Sequence, residues 1–397
     1  MFLLTITLMG ALGLIASDIY LPSLPEICRF FNRSSIEVQS TISIYLLGLS
    51  LFQLVYGPLS DSWGRKKPVL LGVMIFFLGT ILCVTKINFT FLLAGRFLQG
   101  IGACSGMVIG RAILADLYDP AQTSKILTTI FPIIGMSPAI SPVIGGYLTR
   151  FMGWSSVFVV VAVVSLVLLC LVISFLQESL PEAKRTRINV SAFMDNYKRV
   201  LSERMFIGYT LLVCCAYGTY FAYLSASPFF LKKLGYPADE IGFSYINLSF
   251  CYIAGNLTAR KLIESWSIDK ALKLGVALFI SSLLLMYIFV NISPLDVLSV
   301  LMPISILAFA NGFLLPLGVG KAITIIPEIR GTASGVMGAL QMGSGAVAAY
   351  LIGFNSNHSL NDLAGRMLLI GPLIFVAIFL VWFEKKSVLK SSISGNH

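Results

Sequence analysis

Apolar runs long enough to cross a bilayer recur along the whole chain, and nothing else constrains its folding as strongly. Read for stretches of about 20 residues with few charges, the sequence contains twelve. They lie near 2–22, 37–58, 68–85, 89–112, 125–148, 154–176, 205–228, 240–261, 272–292, 297–320, 331–353 and 364–383. Hydrophobic residues make up 57% of the 397 and charged residues 12%, with a mean hydropathy of +0.89. No water-soluble fold of this length has an interior able to hide that surface. The expectation is an all-α membrane protein with twelve transmembrane helices. The first run has no basic stretch ahead of it, carries Asp18 and is long enough to span, so it reads as a span rather than a secretory leader.

The cations sort by topology. The 59–67 loop, the linker, the 258–273 loop and the tail with Lys385, Lys386 and Lys390 all face one side. With Arg111, Lys125, Lys321 and Arg330 they bring 20 of the 28 Lys and Arg to that side. Arg29, Arg33, Lys86, Arg150, Lys232, Lys233 and Arg366 are the 7 on the other, and Arg96 lies within a span. The excess of Lys and Arg predicts that both termini and the linker are cytoplasmic. The net charge of +10 therefore follows the membrane and gives no reason to expect a nucleic acid partner. The polar linker 177–204 separates a six-span bundle over 1–176 from a second over 205–383, followed by a cytoplasmic tail, 384–397. YLLGLSLFQLVYGPLSDSWGRKKPVLLG (45–72) and YINLSFCYIAGNLTARKLIESWSIDKALKLG (245–275) echo one another across that divide. Repeated six-span units are how many secondary transporters are built, with the site between the halves.

No metal or disulfide framework is expected. Six of the seven cysteines fall inside apolar runs, where Cys packs as a small hydrophobe, and the two histidines, His358 and His397, stand apart from any cysteine cluster. Neither a GxSxG elbow nor a phosphate-binding Walker sequence occurs, so the chain reads as neither an enzyme nor an ATP-driven pump.

GPLSDSWGRKKP (57–68) resembles the signature loop of the major facilitator superfamily, with Gly57, Leu59, Asp61, Gly64, Arg65 and Lys66 in register. Its glycines suit a tight turn and close helix approach. The resemblance implies a cytoplasmic gate in which Asp61 caps the eleventh helix at 331–335 and Arg65 pairs with Asp116 or Asp119. LLAGRFLQGIGA (92–103) resembles the second motif of that family in Arg96, Gln99 and Gly100. Gly102, Gly106 and Gly110 follow at four-residue spacing, a face for helix packing. PIIGMSPAISPVIGGY (132–147) resembles the antiporter motif of drug/proton exchangers, with Ser141 replacing the leading glycine. Pro138, Pro142, Gly145 and Gly146 are the expected hinge; a small-residue packing face is the other reading. SDIYLPSLPEI (17–27), RAILADLYDP (111–120) and GTASGVMGALQ (331–341) resemble the Bcr/CflA-type drug exporters.

Asp18 is the one acid placed clearly within a span, and a charge there usually has a task. Asp18 and Arg96 fall in the same half of the membrane and are the expected proton-coupling pair. Burial favours a neutral carboxyl and a nearby guanidinium favours a charged one, so a change in either could load or release a proton. The plainer reading is that Asp18 only satisfies Arg96 or ends the helix before Pro22. The expected substrate cavity takes Tyr20, Tyr45, Gln53, Gln99, Tyr217, Tyr220, Tyr223, Asn247, Asn311 and Gln341, although a tyrosine stripe in span seven also suits helix packing. The resemblance implies proton-coupled efflux of a small apolar or cationic molecule from a bacterial inner membrane. No cofactor beyond the proton is expected, the partners are lipid and substrate, and nothing demands more than a monomer. Uptake or export of one metabolite, such as a siderophore or amino acid, and a non-transporting sensor are the alternatives.

Overall fold

Each helix start in this chain leaves four backbone N–H groups without an internal acceptor, and the residues ahead of the apolar runs supply acceptors. In the computed structural model, residues 1–185, 190–292, 297–353 and 360–383 are described, with the backbone alone at 120, 121, 123–125, 127–129, 131–135, 184, 190, 192 and 327. The expected tail, 384–397 with Lys385, Lys386 and Lys390, lies outside the described residues, as do Arg187 and both histidines.

The first span is α1 (Phe2–Asp18) and, after a turn at Leu21–Ser23, α2 (Leu24–Phe31). It therefore reaches beyond the expected end at 22. Pro22 and Pro25 do not stop it, because each sits in the first turn of a new helical segment, where a missing N–H costs nothing. Then come α3 (Ser35–Trp63), α4 (Lys66–Val84), α5 (Phe89–Leu117), α6 (Pro120–Met152) and α7 (Ser156–Phe175). The Ser34 side chain accepts from the Glu37 amide and the Glu37 carboxylate from the Ser34 amide, a capping box that opens α3. Asn88 and Asp119 open α5 and α6, accepting from the amides of Phe91 (2.9 Å) and Gln122 (2.8 Å). Asp119 is thus a helix cap and not the partner of Arg65.

The second half comprises α8 (Val190–Ser202), α9 (Arg204–Lys233), α10 (Ala238–Leu262), α11 (Ile268–Ile292), α12 (Leu298–Thr324), α13 (Arg330–Gly353), α14 (Leu360–Leu368) and α15 (Gly371–Ile378). Every regular element among the described residues is helical, as expected. Among the described residues, ten helical stretches are long and apolar enough to span. The other two expected spans, five and eight, are the 33-residue α6 and 25-residue α10. Asp239, Glu240, Arg260 and Lys261 dilute the ends of α10. The linker contains α8, whose amphipathic residues bury Val200, an element that reading for polarity alone overlooks.

The 59–67 loop is shorter than expected. α3 continues through Pro58 to Trp63, and only Gly64 and Arg65 separate it from α4. Gly64 takes φ +86°, a conformation open to few other residues. Gly57 lies inside the helix with nothing within 4 Å of a potential Cβ, so the turning role falls to Gly64 alone.

The contacts divide the chain into two compact units. The first is Met1–Ile188 with Tyr223–Phe250 and Ala346–His358; the second is Asn189–Ala222, Cys251–Gly345 and Ser359–His397. In the first, α5 packs on α3, α4 and α1. The expected single glycine face of α5 is distributed between two neighbours: Gly102 meets α4 at Gly72, and Gly106 meets α1 at Met9. Gly100 lies directly on the Tyr45 carbonyl of α3, and Gly48 of α3 would place a Cβ 2.7 Å from the Phe97 carbonyl of α5. Backbones that approach this closely gain dispersion contacts, the principal glue between helices in lipid. Gly100→Ala is expected to destabilise the detergent-solubilised protein by about 1–3 kcal/mol. Gly57→Ala should instead be neutral or stabilising by up to about 1 kcal/mol. Denaturation curves of the two variants check this, and the reverse order would refute the packing argument.

Candidate functional site

Arg96, two turns into α5, has no exposed surface, and a buried guanidinium needs its five donors and its charge accounted for. Its Nη1 donates to the Ala16 carbonyl of α1 (3.0 Å) and to Gln99 Oε1 (2.8 Å). Gln99 is one turn along the same helix, and its Nε2 donates to Thr80 Oγ1 of α4 (2.8 Å). The guanidinium lies between two rings, with its carbon 4.4 Å from the centre of Tyr20 and 4.2 Å from that of Tyr45. The Tyr45 hydroxyl donates to the Gly13 carbonyl (2.6 Å), and the Tyr20 hydroxyl bonds Thr41. Three helices thus converge on one cation. Two aromatic faces in a water-poor site stabilise it by about 2 kcal/mol or more each. The Arg96 Nε and Nη2 have no hydrogen-bond partner among the described residues.

Asp18, the last residue of α1, is 5% exposed. It lies within the electrostatic reach of Arg96, but the two form no ion pair among the described residues. The structure therefore brings the expected coupling residues into one buried neighbourhood without joining them. Tyr20, Tyr45 and Gln99, expected at a substrate cavity, are fully buried as the walls of the Arg96 site.

The remaining expected cavity residues are divided between the two units. Tyr217 is buried, with its hydroxyl 3.1 Å from Met342 Sδ and its ring 4.7 Å from Phe221. Asn311 is buried and donates to the Ala216 carbonyl (3.2 Å). Tyr220, Gln53 and Gln341 are half-buried, and Asn247 is exposed. Tyr223 belongs to the first unit, fully buried, with its hydroxyl unpartnered among the described residues. Tyr220 meets Phe221 edge-on at 6.0 Å. α6 runs unbroken through Pro138 and Pro142; Gly145 rests on the Ile19 carbonyl and Gly146 on the Ala238 carbonyl.

At the α3–α4 turn, Arg65 donates from Nε to Asp116 Oδ2 (2.8 Å) and from Nη1 to Asp61 Oδ1 (2.5 Å) and Ser60 Oγ (2.8 Å). The expected Arg65–Asp116 contact is present, and Asp61 also turns to Arg65. Sequence reading missed Glu178, just beyond α7. Its carboxylate accepts from the amides of Arg65 (2.8 Å), Lys66 (3.2 Å) and Leu180 (3.0 Å). The signal available was a helix start at Lys66 with no capping side chain of its own. Partial burial works against the Glu178 charge, but those amides and Arg185 outweigh it and hold the carboxyl below the usual glutamate range. Lys66 Nζ donates to the Ile173 carbonyl (3.1 Å), tying the turn to the end of α7.

Membrane-spanning helices in two compact units, with a charge buried in the helix pack, define a polytopic carrier rather than a soluble receptor. The Major Facilitator Superfamily model matches residues 6–349, and the chain belongs to that family. It is 26% identical over 396 residues to the bicyclomycin resistance protein homolog of Haemophilus influenzae, covering 98% of this chain and 97% of that protein. It is 29% identical over 356 residues to multidrug resistance protein D of Escherichia coli, covering 87% of each. To multidrug resistance protein MdtL of Vibrio parahaemolyticus it is 30% identical over 378 residues, covering 92% and 91%. Among solved structures, a D-xylose-proton symporter superposes with a TM-score of 0.73 at 16% identity, over 96% of this chain and 97% of the other. Among the described residues no group of His, Cys, Asp and Glu could hold a metal ion, and all seven cysteines are free.

The lowered pKa of Glu178 has a direction in pH. A carboxyl that releases its proton more readily folded than unfolded adds stability above about pH 4.3, and the gain is lost as pH falls through the folded value. Glu178→Gln should therefore melt below the wild type at neutral pH, with the difference closing in acid. Equal melting temperatures at pH 7 would remove Glu178 from the turn.

Proposed function

We propose that the protein exports small apolar or cationic molecules across the bacterial inner membrane in exchange for protons, by alternating access between two six-helix bundles. The observation that carries this reading is the buried Asp18 carboxylate beside, but not paired with, a guanidinium whose Nε and Nη2 have no partner among the described residues. A buried acid without its countercharge gains from binding a proton or a cationic substrate. A small shift of α1 toward Arg96 would offer the carboxylate two donors and release what it held. Protonation and substrate binding at Asp18 are then mutually exclusive, which couples the two fluxes. The relatives named for drug resistance support export, and the twelve-span pattern with its cation bias supports cytoplasmic termini.

Other residues take roles around that centre. Tyr20, Tyr45 and Gln99 hold Arg96 in place, while Gln53, Tyr220, Asn247 and Gln341 are the polar groups with surface left to meet a substrate. Gly57, Asp61, Gly64, Arg65, Lys66 and Asp116, joined by Glu178, form the cytoplasmic gate. Pro138, Pro142, Gly145 and Gly146 form the segment of α6 that flexes. The protein works as a monomer without catalysis or a cofactor, the proton being its coupling ion. Proton-coupled movement of one metabolite is the second reading, favoured by Ser141. In place of the leading glycine of the antiporter motif, it is buried and hydrogen-bonded to Ser137 (3.2 Å).

Proteoliposomes carrying an imposed pH gradient decide the matter. Addition of a transported drug should move protons in the wild type and not in Asp18→Asn at matched protein content. The variant should bind neutral compounds about as well as the wild type and cations about tenfold more weakly, a loss of about 1.4 kcal/mol. Equal proton movement in both proteins would return Asp18 to a structural role.

A further inference from the structure

The helix ends opposite the α3–α4 turn are poor in cations, yet four of those present converge. Arg29, Arg150, Lys232 and Lys233 line two adjoining depressions of about 530 Å³ and 350 Å³, with Pro25, Arg29 and Lys232 shared by both. All of them belong to the first compact unit. The acids nearby do not balance this charge. Asp239 is paired with Arg150 (2.6 Å), and Glu26, which accepts from the Trp154 amide (3.3 Å), is one acid against Arg29, Lys232 and Lys233. Arg29, Lys232 and Lys233 have no ion pair among the described residues, whereas Arg33 at the same end is paired with Glu37 (2.9 Å).

An apolar seam runs from the membrane to this point. α6 exposes Ile144, Tyr147 and Phe151, and α10 exposes Phe243, Ile246 and Phe250. The two helices meet edge-on at Tyr147 and Phe243, with centroids 5.8 Å apart. Tyr147 stacks on Phe151 at 6.2 Å, and the face of Phe151 receives the Arg150 guanidinium at 5.5 Å. Rings at the end of a span beside cations are the arrangement that meets a lipid headgroup region.

We propose that this is a binding site for an anionic phospholipid, its phosphate held by Arg29 and Lys232 and its acyl chains lying along the α6–α10 seam. A free inorganic anion would use the cations but gain nothing from the seam. A zwitterionic lipid would use the seam but bring an ammonium group to a surface already in cationic excess. The site depends on neither the direction of transport nor the role of Asp18; the proposed topology only assigns it to the outer leaflet.

Native mass spectrometry of the purified full-length protein, titrated with phosphatidylglycerol and with phosphatidylcholine, tests the proposal. Arg29→Gln with Lys232→Gln should weaken phosphatidylglycerol binding about 25-fold, about fivefold per cation. Lys232→Arg and the control Arg33→Gln should retain it, and phosphatidylcholine should bind weakly to all. The single variant Lys232→Gln, about fivefold weaker, carries the test if the double variant is misfolded. Unchanged phosphatidylglycerol binding in the charge-removed variants would overturn the site. Displacement of the lipid by an equal concentration of inorganic phosphate would overturn the lipid in favour of a free anion.

Discussion

The architecture of the first unit depends on how it accommodates one buried cation. Arg96 draws α1 to it through the Ala16 carbonyl, α3 through the ring of Tyr45, and α4 through Gln99 and Thr80. None of these partners carries a full opposite charge. Carbonyls, an amide and two π faces share the work of holding the guanidinium. A tight ion pair with Asp18 would satisfy both residues and leave neither able to bind anything else. The close Gly100–Tyr45 contact holds α3 against α5 at the residue whose ring faces the cation.

The fold was legible because lipid leaves the backbone few choices. Apolar runs must be helices, and their lengths, spacing and flanking cations made that reading possible before any coordinates. What polarity alone hid were elements defined by one face, such as α8 and the α2 extension of the first span. Both are amphipathic, so half their residues look like loop. Proline misled in the same way: Pro22 and Pro58 look like stops, but one sits at a helix start and the other is carried inside α3.

The candidate site was legible only in part. Arg96 and Asp18 stand out because a charge in an apolar run is costly, and Asp116 was found through motif resemblance. Tyrosine, asparagine and glutamine carry no such cost signal. Tyr45 and Tyr217 both sit in apolar runs, yet one faces a cation and the other a methionine sulfur. Helical position fixes a face but not the neighbour opposite. Glu178 escaped for a different reason: its partners are backbone amides 112 and 113 residues away, which have no sequence identity to read.

The need for Glu178 follows from the sign of the charges at the repeat's turn. In the second unit, Asp269 lies in the first turn of α11 and pairs with Lys321 in the last turn of α12 at 3.4 Å. Acid at a helix start and base at a helix end both agree with the helix dipoles, and Tyr209 adds a donor to Asp269 (3.3 Å). In the first unit the signs are reversed. Arg65 and Lys66 stand at the start of α4, and Asp116 stands at the end of α5. The ion pair survives the exchange, but each helix end now meets the unfavourable charge. Glu178 supplies at the start of α4 the negative charge that the local sequence lacks, placed directly on the orphan amides. Ser179 donates to Asp116 (3.0 Å) beside the end of α5. Two consecutive linker residues thus offset the reversed pair, which gives the chain just after α7 a structural reason to lie against this turn.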